Sequence, residues 1–327
     1  MKKLMLLAVV LVAAVLFAGC GKDEGSAPIV KLPGVSKNVA TVDGLNITSK
    51  EYQTYLHDNF GEQALSSLIS DKILEKWAID LDAAPTKEDI EKFTAQFKDS
   101  PNYKFQSMQV NPAVLDKQIA KLAKQQAVLA NIAKKLAPAK DSEIEKMYKE
   151  NKEQYQKPAR TEYTIVMLGS DKKKAEDAAK ELSAFSPDDT AFREKLFELR
   201  KEDSNISALP NMTEDILETD KAVKDEAVKL KDGEWSKVVK MTPTNPETKE
   251  ESYCIVCGIK RDKEEKTLDD VRDEISAMVS ITNLSKNDKF RDDLEKRRTE
   301  AEITINIPEY SDLADQFKSP NPSAGGM

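Results

Sequence analysis

DSEIEKMYKENKEQYQKPARTEYTIVML, residues 141–168, decides how this chain is read. Ser142 and Glu145 have the spacing of a capping box, which predicts a helix start. Ile144, Met147, Tyr148 and Tyr155 recur at helical spacing, with Lys and Glu on the other face. Pro158 stops that helix, because its ring removes a backbone donor and biases Lys157 away from helical angles. Tyr163 to Leu168 then make a β-branched and apolar run, the pattern of a strand buried on both faces. The stretch is a joint: a helical module ends here and a sheet-containing one begins.

On the N-terminal side of the joint the signals are helical. Val39 to Val42 read as a short strand, Asp43-Gly44 as a tight turn, and Thr48 with Glu51 as a second capping box. Leu65, Leu68, Ile69, Ile73 and Trp77 share one helix face. Thr86 and Asp89 open another helix, with Ile90, Phe93 and Phe97 inward. Residues 99–112 carry Pro101, Asn102, Asn111 and Pro112 and read as a loop. Leu115, Ile119, Leu122, Gln126, Leu129, Ala133 and Leu136 alternate steps of four and three, a 3.5-residue seam that wants a partner helix within its own module.

On the C-terminal side, residues 171–201 read as helical, with Ala175, Ala178, Ala179, Leu182, Phe192, Leu196 and Leu199 inward. Residues 203–215 read as an irregular polar segment around Pro210. Val223 to Leu230 is a helix, Lys231-Asp232-Gly233 a turn, and Trp235–Val239 and Tyr253–Ile259 are strands. Thr267 and Asp270 cap a further helix whose face is Leu268, Val271, Ile275, Met278 and Val279, with a break near Asn283. Ile303, Ile305 and Ile307 alternate as a strand.

Composition narrows the function classes. The chain has 327 residues, enough for two domains whose cores need no disulfide. Charged residues make up 33% and aromatics 6%, which favours charge-laced helices around modest cores. With a formal charge of −8 and no basic block, nucleic acid is excluded as the expected partner. Lys2 and Lys3 precede an apolar run from Leu4 to Phe17, too short for a bilayer span of about 20 residues and matched to a secretory signal. Ala18, Gly19 and Cys20 end it in a way that resembles a bacterial lipobox, with Phe17 where that motif usually has Leu. The resemblance implies that Cys20 is acylated; an ordinary signal peptide with an incidental cysteine is the alternative. Residues 21–37 are rich in Gly, Ser, Pro and charge and read as a tether.

The order E-I-x-x-x-Y-x-x-N-x-x-x-Y, then K-P, then a short buried strand resembles the junction in SurA- and PrsA-like exported foldases. There a helical chaperone module leads into a parvulin-type peptidyl-prolyl isomerase domain. V-A-T-V-D-G-x-x-I-T-x-x-E-Y is similar to the entry of that module, and the helix after 267 with the Ile-x-Ile-x-Ile run resembles its C-terminal part. TEYTIVM, AVKLKDGEWSKVV and SYCIVC resemble the scaffold of the isomerase domain.

Rotation about an X-Pro bond faces a barrier of about 20 kcal/mol, and parvulins meet it with two histidines and a Met-Phe pair that seats the proline ring. On the matching positions this chain has Tyr163 and Cys254 for the histidines, Val223 for the Phe and Thr219 for the Met. The Gly-rich segment before them is replaced by NISALPNMTED. One histidine exists in the whole chain, His57, and it lies in the helical module as a surface or satisfied helix residue. The resemblance therefore implies a degenerate isomerase pocket with no catalytic residue.

Cys254-x-x-Cys257 lies inside a strand, where positions i and i+3 face opposite sides, so it lacks the helix N-terminus of a redox pair. Zinc would need two more ligands. Two packed cysteines are expected, with a local disulfide as the alternative. No motif for a phosphate, metal or other cofactor occurs.

The expected fold class is α+β: a mostly helical chaperone module formed by N- and C-terminal segments, with an inserted small parvulin-like α/β domain. The expected divisions are 1–19 signal peptide, 20–37 tether, 38–157 and 263–310 chaperone module, 158–262 parvulin-like insert, and 311–327 disordered tail. The resemblance implies a lipid-anchored extracytoplasmic chaperone, monomer or weak homodimer, that binds unfolded or newly exported polypeptides and needs no cofactor. The alternatives are an active isomerase with a non-standard pocket and a non-catalytic lipoprotein scaffold.

Overall fold

A computed structural model of the chain describes residues 38–217, 220–241 and 251–319. In chain order the first elements are β1 (Asn38–Val42), β2 (Leu45–Thr48), α1 (Ser49–Asp80), α2 (Lys87–Asp99), α3 (Pro101–Ser107) and α4 (Pro112–Leu136). Next come α5 (Asp141–Glu150), α6 (Lys152–Tyr155), β3 (Gln156–Lys157), β4 (Arg160–Leu168), α7 (Lys172–Leu182), α8 (Thr190–Glu202) and β5 (Ile206–Met212). The rest are α9 (Glu214–Leu217), α10 (Lys221–Ala227), β6 (Val239–Lys240), β7 (Tyr253–Arg261), β8 (Glu264–Glu265), α11 (Leu268–Ser285), α12 (Asp288–Glu300) and α13 (Leu313–Lys318). The fold class is α+β. The elements group into two compact units, Met1–Trp77 with Asp288–Met327, and Ala78–Asn287.

In the first unit β1 and β2 form an antiparallel hairpin. Asp43 (φ 49°) and Gly44 (φ 82°) both sit in the left-handed region that a two-residue hairpin turn requires. Thr48 and Glu51 close the expected capping box, with Thr48 N–H donating to Glu51 at 2.7 Å and Glu51 N–H to the Thr48 hydroxyl at 3.1 Å. Trp77 stacks on Phe290 at 5.1 Å, with the Arg297 guanidinium over its ring. Tyr310 donates to the His57 carbonyl at 2.6 Å and its ring tilts against the imidazole. It passes so close to Gly61 that any Cβ there would collide with the phenol oxygen. His57 is thus neither on the open surface nor satisfied: its Nε2 is buried with no partner among the described residues.

Two expectations fail here. Ile303, Ile305 and Ile307 alternate half-buried with exposed neighbours, but among the described residues no second strand pairs with them, and without a ladder they are not a strand. The tail expected to be disordered from 311 contains α13, which buries Leu313 and Phe317. Residues 320–327 lie outside the described residues.

The second unit holds the joint. The helix starts one residue before the expected box, at Asp141: Glu143 accepts from Lys140 N–H at 2.9 Å, so the reciprocal carboxylate is Glu143 and not Glu145. Ile144 and Tyr155 pack with Val271, Ile275 and Val279 of α11, the face expected from their spacing. Tyr148 stacks on Tyr155 and donates to the Lys266 carbonyl at 2.9 Å. β3 and β8 pair beside them, so the chain enters and leaves the sheet region through one tied gate. α4 packs against α2 and α11. Its buried stripe runs Leu115, Ile119, Ala123, Ala127 and Ala130, while Leu122 is 40% exposed. Ala133 of the expected seam is buried too, with Val128 and Ile132, so the covered face is wider than a 3.5-residue seam: α2 and α11 both pack on this helix.

β5-β4-β7-β6 form an antiparallel sheet. β4 is buried from Tyr163 to Val166 and again at Leu168, as expected. One face carries Val166, Leu168 and Ile255 against Phe192, Leu196 and Leu182 of α7 and α8; the other carries Tyr163, Ile165, Cys254 and Val256 against α9 and α10. Three readings change. Residues 101–107 are helical, started by Ser100 as cap and Pro101 in the first turn, where a missing N–H costs nothing. Residues 206–212 are an edge strand that tolerates Pro210. The expected strand Trp235–Val239 reduces to a single bridge from Trp235 to Cys257 and the two-residue β6.

Candidate functional site

The four positions of the expected degenerate pocket converge as far as they are described. In the β4–β7 register Tyr163 faces Gly258, Ile165 faces Val256 and Met167 faces Cys254, which places all six on one sheet face. α10 lies over that face. Asp220 caps it by accepting from Ala222 N–H at 3.0 Å, and this seats Val223 and Ala227 against the strands. Tyr163, Val223 and Cys254 therefore share one buried cluster with Leu217, Val239 and Val256. Thr219, the fourth position, lies outside the described residues, as does Cys20.

Chemically the face is closed. Val223 is 2% exposed and Cys254 fully buried. Burial, with a smaller contribution from Asp220, pushes the Cys254 thiol up to about 12, so no thiolate is available at neutral pH. Burial also raises the Tyr163 phenol, and nearby Glu214 adds to it. Tyr163 lies flat over Gly258: a Cβ at that glycine would sit 3.1 Å from Tyr163 Cε1. Where a two-histidine floor would present imidazoles to a bound proline, this face presents a ring, a thiol and aliphatic groups packed on one another. Its phenol and its thiol are both raised by burial and stay protonated at neutral pH.

Cys257 points to the opposite face, as the strand period requires. Burial, then Asp188 and Asp232, raise its thiol to about 12. Both cysteines are free, which removes the local disulfide. Among the described residues no group of three or more His, Cys, Asp or Glu side chains could hold a metal ion. No described helix is long and apolar enough to cross a membrane.

A second feature on β4 and β7 was missed by reading the strand from Tyr163 onward. Glu162 accepts from Arg160 at 2.6 Å and from Arg261 at 3.0 Å, and Arg261 also holds Asp188 in a two-pronged contact at 2.8 and 2.9 Å. Burial raises Glu162, but the two guanidinium hydrogen bonds outweigh it and hold its carboxyl below the usual range. The Arg261 hydrogen bonds lower Asp188 likewise. The alternation Arg160-x-Glu162 was the signal available: charges at every second position mark one strand face.

With this geometry in hand, the comparison with protein families is decisive for one segment. Residues 139–273 match the PPIC-type PPIase domain. The match begins just before α5 and ends within α11, so it takes in the joint and the whole four-stranded sheet. No curated protein matches the chain. Similar solved structures include PrsA from Bacillus subtilis, at 20% identity over 84% of this chain and 97% of that one, with a TM-score of 0.30. PrsA from Bacillus cereus, a peptidylprolyl isomerase, is 19% identical over 86% and 98%, with a TM-score of 0.33. A SurA-like chaperone of Campylobacter jejuni is 18% identical over 82% and 100%, with a TM-score of 0.23.

Proposed function

We propose that this chain is a lipid-anchored, extracytoplasmic folding factor that holds unfolded or newly exported polypeptides, and that its PPIC-type domain no longer isomerises proline. The binding half of this reading is carried by α1. Tyr52, Tyr55, Leu56 and Phe60 form a stripe at helical spacing that stays exposed, with Phe60 at 50% and Tyr55 at 59%. Exposed apolar groups on a charge-rich chain are suited to adaptable, weakly specific contacts with unfolded segments. The loss of isomerase activity is supported by the filled face of Tyr163, Val223 and Cys254, and by the presence of a single histidine in the whole sequence. In this reading residues 38–157 and 263–310 make the chaperone module, 158–262 the insert, and Cys20 carries the lipid.

The experiment is a proline-limited refolding reaction with the chain beginning after Cys20, with client aggregation followed by light scattering. Suppressed aggregation at an unchanged refolding rate is expected. Acceleration of the proline-limited phase would restore the isomerase as the function. For the anchor, Cys20→Ser in the full-length precursor is expected to move the protein from the membrane fraction to the soluble one.

A further inference from the structure

The back of the same sheet, away from the closed face, carries an open cleft. It has a volume of about 290 Å³ and lies where α3 crosses the ends of β4, β5 and β7, beside the start of α8. Its walls are Tyr103, Lys104 and Met108 of the α3 region, Thr164 of β4, Asn211 of β5, and Arg193 of α8. Gln109 donates to the Ala208 carbonyl at 3.0 Å, and Arg200 to the Gln109 carbonyl at 2.7 Å, so the wall that carries α3 is pinned to the sheet edge. A pinned wall keeps the cleft formed before anything binds.

The charges that face it are unequal. Lys98, Lys104, Arg193 and Arg261 line it against Glu162 and Asp188. This is a local positive excess in a chain whose formal charge is −8. Both carboxylates are already occupied by guanidinium groups, and Lys98 is held by Asp116 at 2.9 Å. The other two cations form no ion pair, although Lys104 acts through space on Glu162 and Asp188, and Arg193 on Asp188. Among the described residues the Lys104 ammonium has no hydrogen bond or ion pair. Arg193 spends one nitrogen on the Thr190 hydroxyl at 2.9 Å and lies over the Tyr103 ring, while its buried Nε has no acceptor.

Thr164 adds a neutral donor beside the partnerless Arg193 Nε. It is 5% exposed and lines the cleft, yet its hydroxyl makes no hydrogen bond among the described residues. The hydroxyl oxygen is not one of the sealed, partnerless polar atoms, so it reaches the solvent of the cleft and can donate to an acceptor that enters it. An ammonium, a guanidinium and a hydroxyl donor around one small cleft match a single planar anion with two acceptor oxygens.

We infer that this cleft binds a carboxylate of a polypeptide, with Lys104 as its charge partner, Thr164 as its hydroxyl donor and Arg193 setting the field. The polypeptide source rests on the proposed chaperone function; the preference for a carboxylate does not. The volume suits one residue end or one acidic side chain, not a folded partner.

The test is titration of the full chain with acetyl-trialanine as the free acid, the same peptide as its C-terminal amide, and an amidated acetyl-Ala-Glu-Ala. The readout is heat of binding together with amide shifts of Lys104 and Thr164. The free acid is expected to bind and the trialanine amide not to. Binding of the Glu peptide as well would extend the site to side-chain carboxylates. Lys104→Gln and Thr164→Val should each weaken the free acid about tenfold, with unchanged melting temperature. Equal binding of acid and amide, undiminished binding in both variants, or tighter binding of inorganic phosphate than of the acid would overturn the assignment. Aggregation suppression by the same samples separates the two claims: a chain that suppresses aggregation but ignores the acid refutes the cleft alone, and the reverse refutes the chaperone reading alone.

Discussion

The two faces of one sheet have opposite characters. On the face under α10, every position that resembles a catalytic parvulin site and is described has become part of a closed core: Tyr163 for one histidine, Cys254 for the other, Val223 for the ring-seating Phe. On the reverse face the same two strands bury Val166, Leu168 and Ile255 at one end and expose Glu162, Thr164 and Arg261 to an open cleft at the other. The period of a strand is two, so substitutions at odd positions of β4 leave the even positions untouched. An active face can be filled without cost to the face behind it. The scaffold of the sheet does not depend on which side chains fill that face.

The comparison can be broken at several points. The largest effect should come from the shared support of the reverse face: Phe192→Ala, at a fully buried site stacked on Trp235, is expected to cost about 3–5 kcal/mol in urea unfolding. A smaller loss would mean that the α7–α8 layer is not the core of this domain. Glu162→Gln should cost about 2 kcal/mol, because Arg160 and Arg261 each lose a charged acceptor in a half-buried site. The pH dependence has a definite sign. Both Glu162 and Asp188 are depressed in the folded state, so their stabilisation is complete above their unfolded values near ~4 and is lost as pH falls through the lower folded values. Acid titration of stability should therefore flatten in Glu162→Gln; an unchanged slope would show that the network contributes nothing.

On the closed face the expected effects are smaller. Gly258→Ala should cost about 1 kcal/mol, since the Tyr163 ring has to give way by a few tenths of an ångström inside a packed cluster. The penalty should vanish in a Tyr163→Ala background, and a penalty that persists there would place the strain elsewhere. Last, with Cys20 replaced by Ser, Cys254 and Cys257 should not react with a thiol reagent at pH 8 until the domain unfolds, because burial holds both thiols near 12. Rapid labelling of Cys254 in the native protein would show that this face opens, and with it the case for a closed pocket would fall.

Much of this was legible from local chemistry. Thr86 with Asp89 and Thr267 with Asp270 cap the helices they predict, and Asp43-Gly44 turns the hairpin it predicts. That Tyr163, Thr219, Val223 and Cys254 include no histidine needed no coordinates to be read. What failed depended on neighbours. Ile303, Ile305 and Ile307 have the alternation of a strand but no partner strand among the described residues, whereas Ile206 to Met212 contain a proline and still pair with β4 at the sheet edge. The buried face of α4 is wider than its seam because its helical neighbours, not its own heptads, decide which side is buried.

The sequence by itself determined where the helices capped by Thr86 and Thr267 begin, that residues 163–168 are a buried strand, that one histidine is too few for a two-histidine floor, and that the two cysteines of one strand face apart. These follow from capping geometry, side-chain period and residue type, which act over a few positions. Only the tertiary structure decided that Tyr163, Val223 and Cys254 fill one face, and that Lys104, Thr164 and Arg193 surround a cleft on the other. Those meetings join residues tens of positions apart, and they are set by how α3, α8 and α10 settle on the sheet, a result of packing that no local pattern encodes.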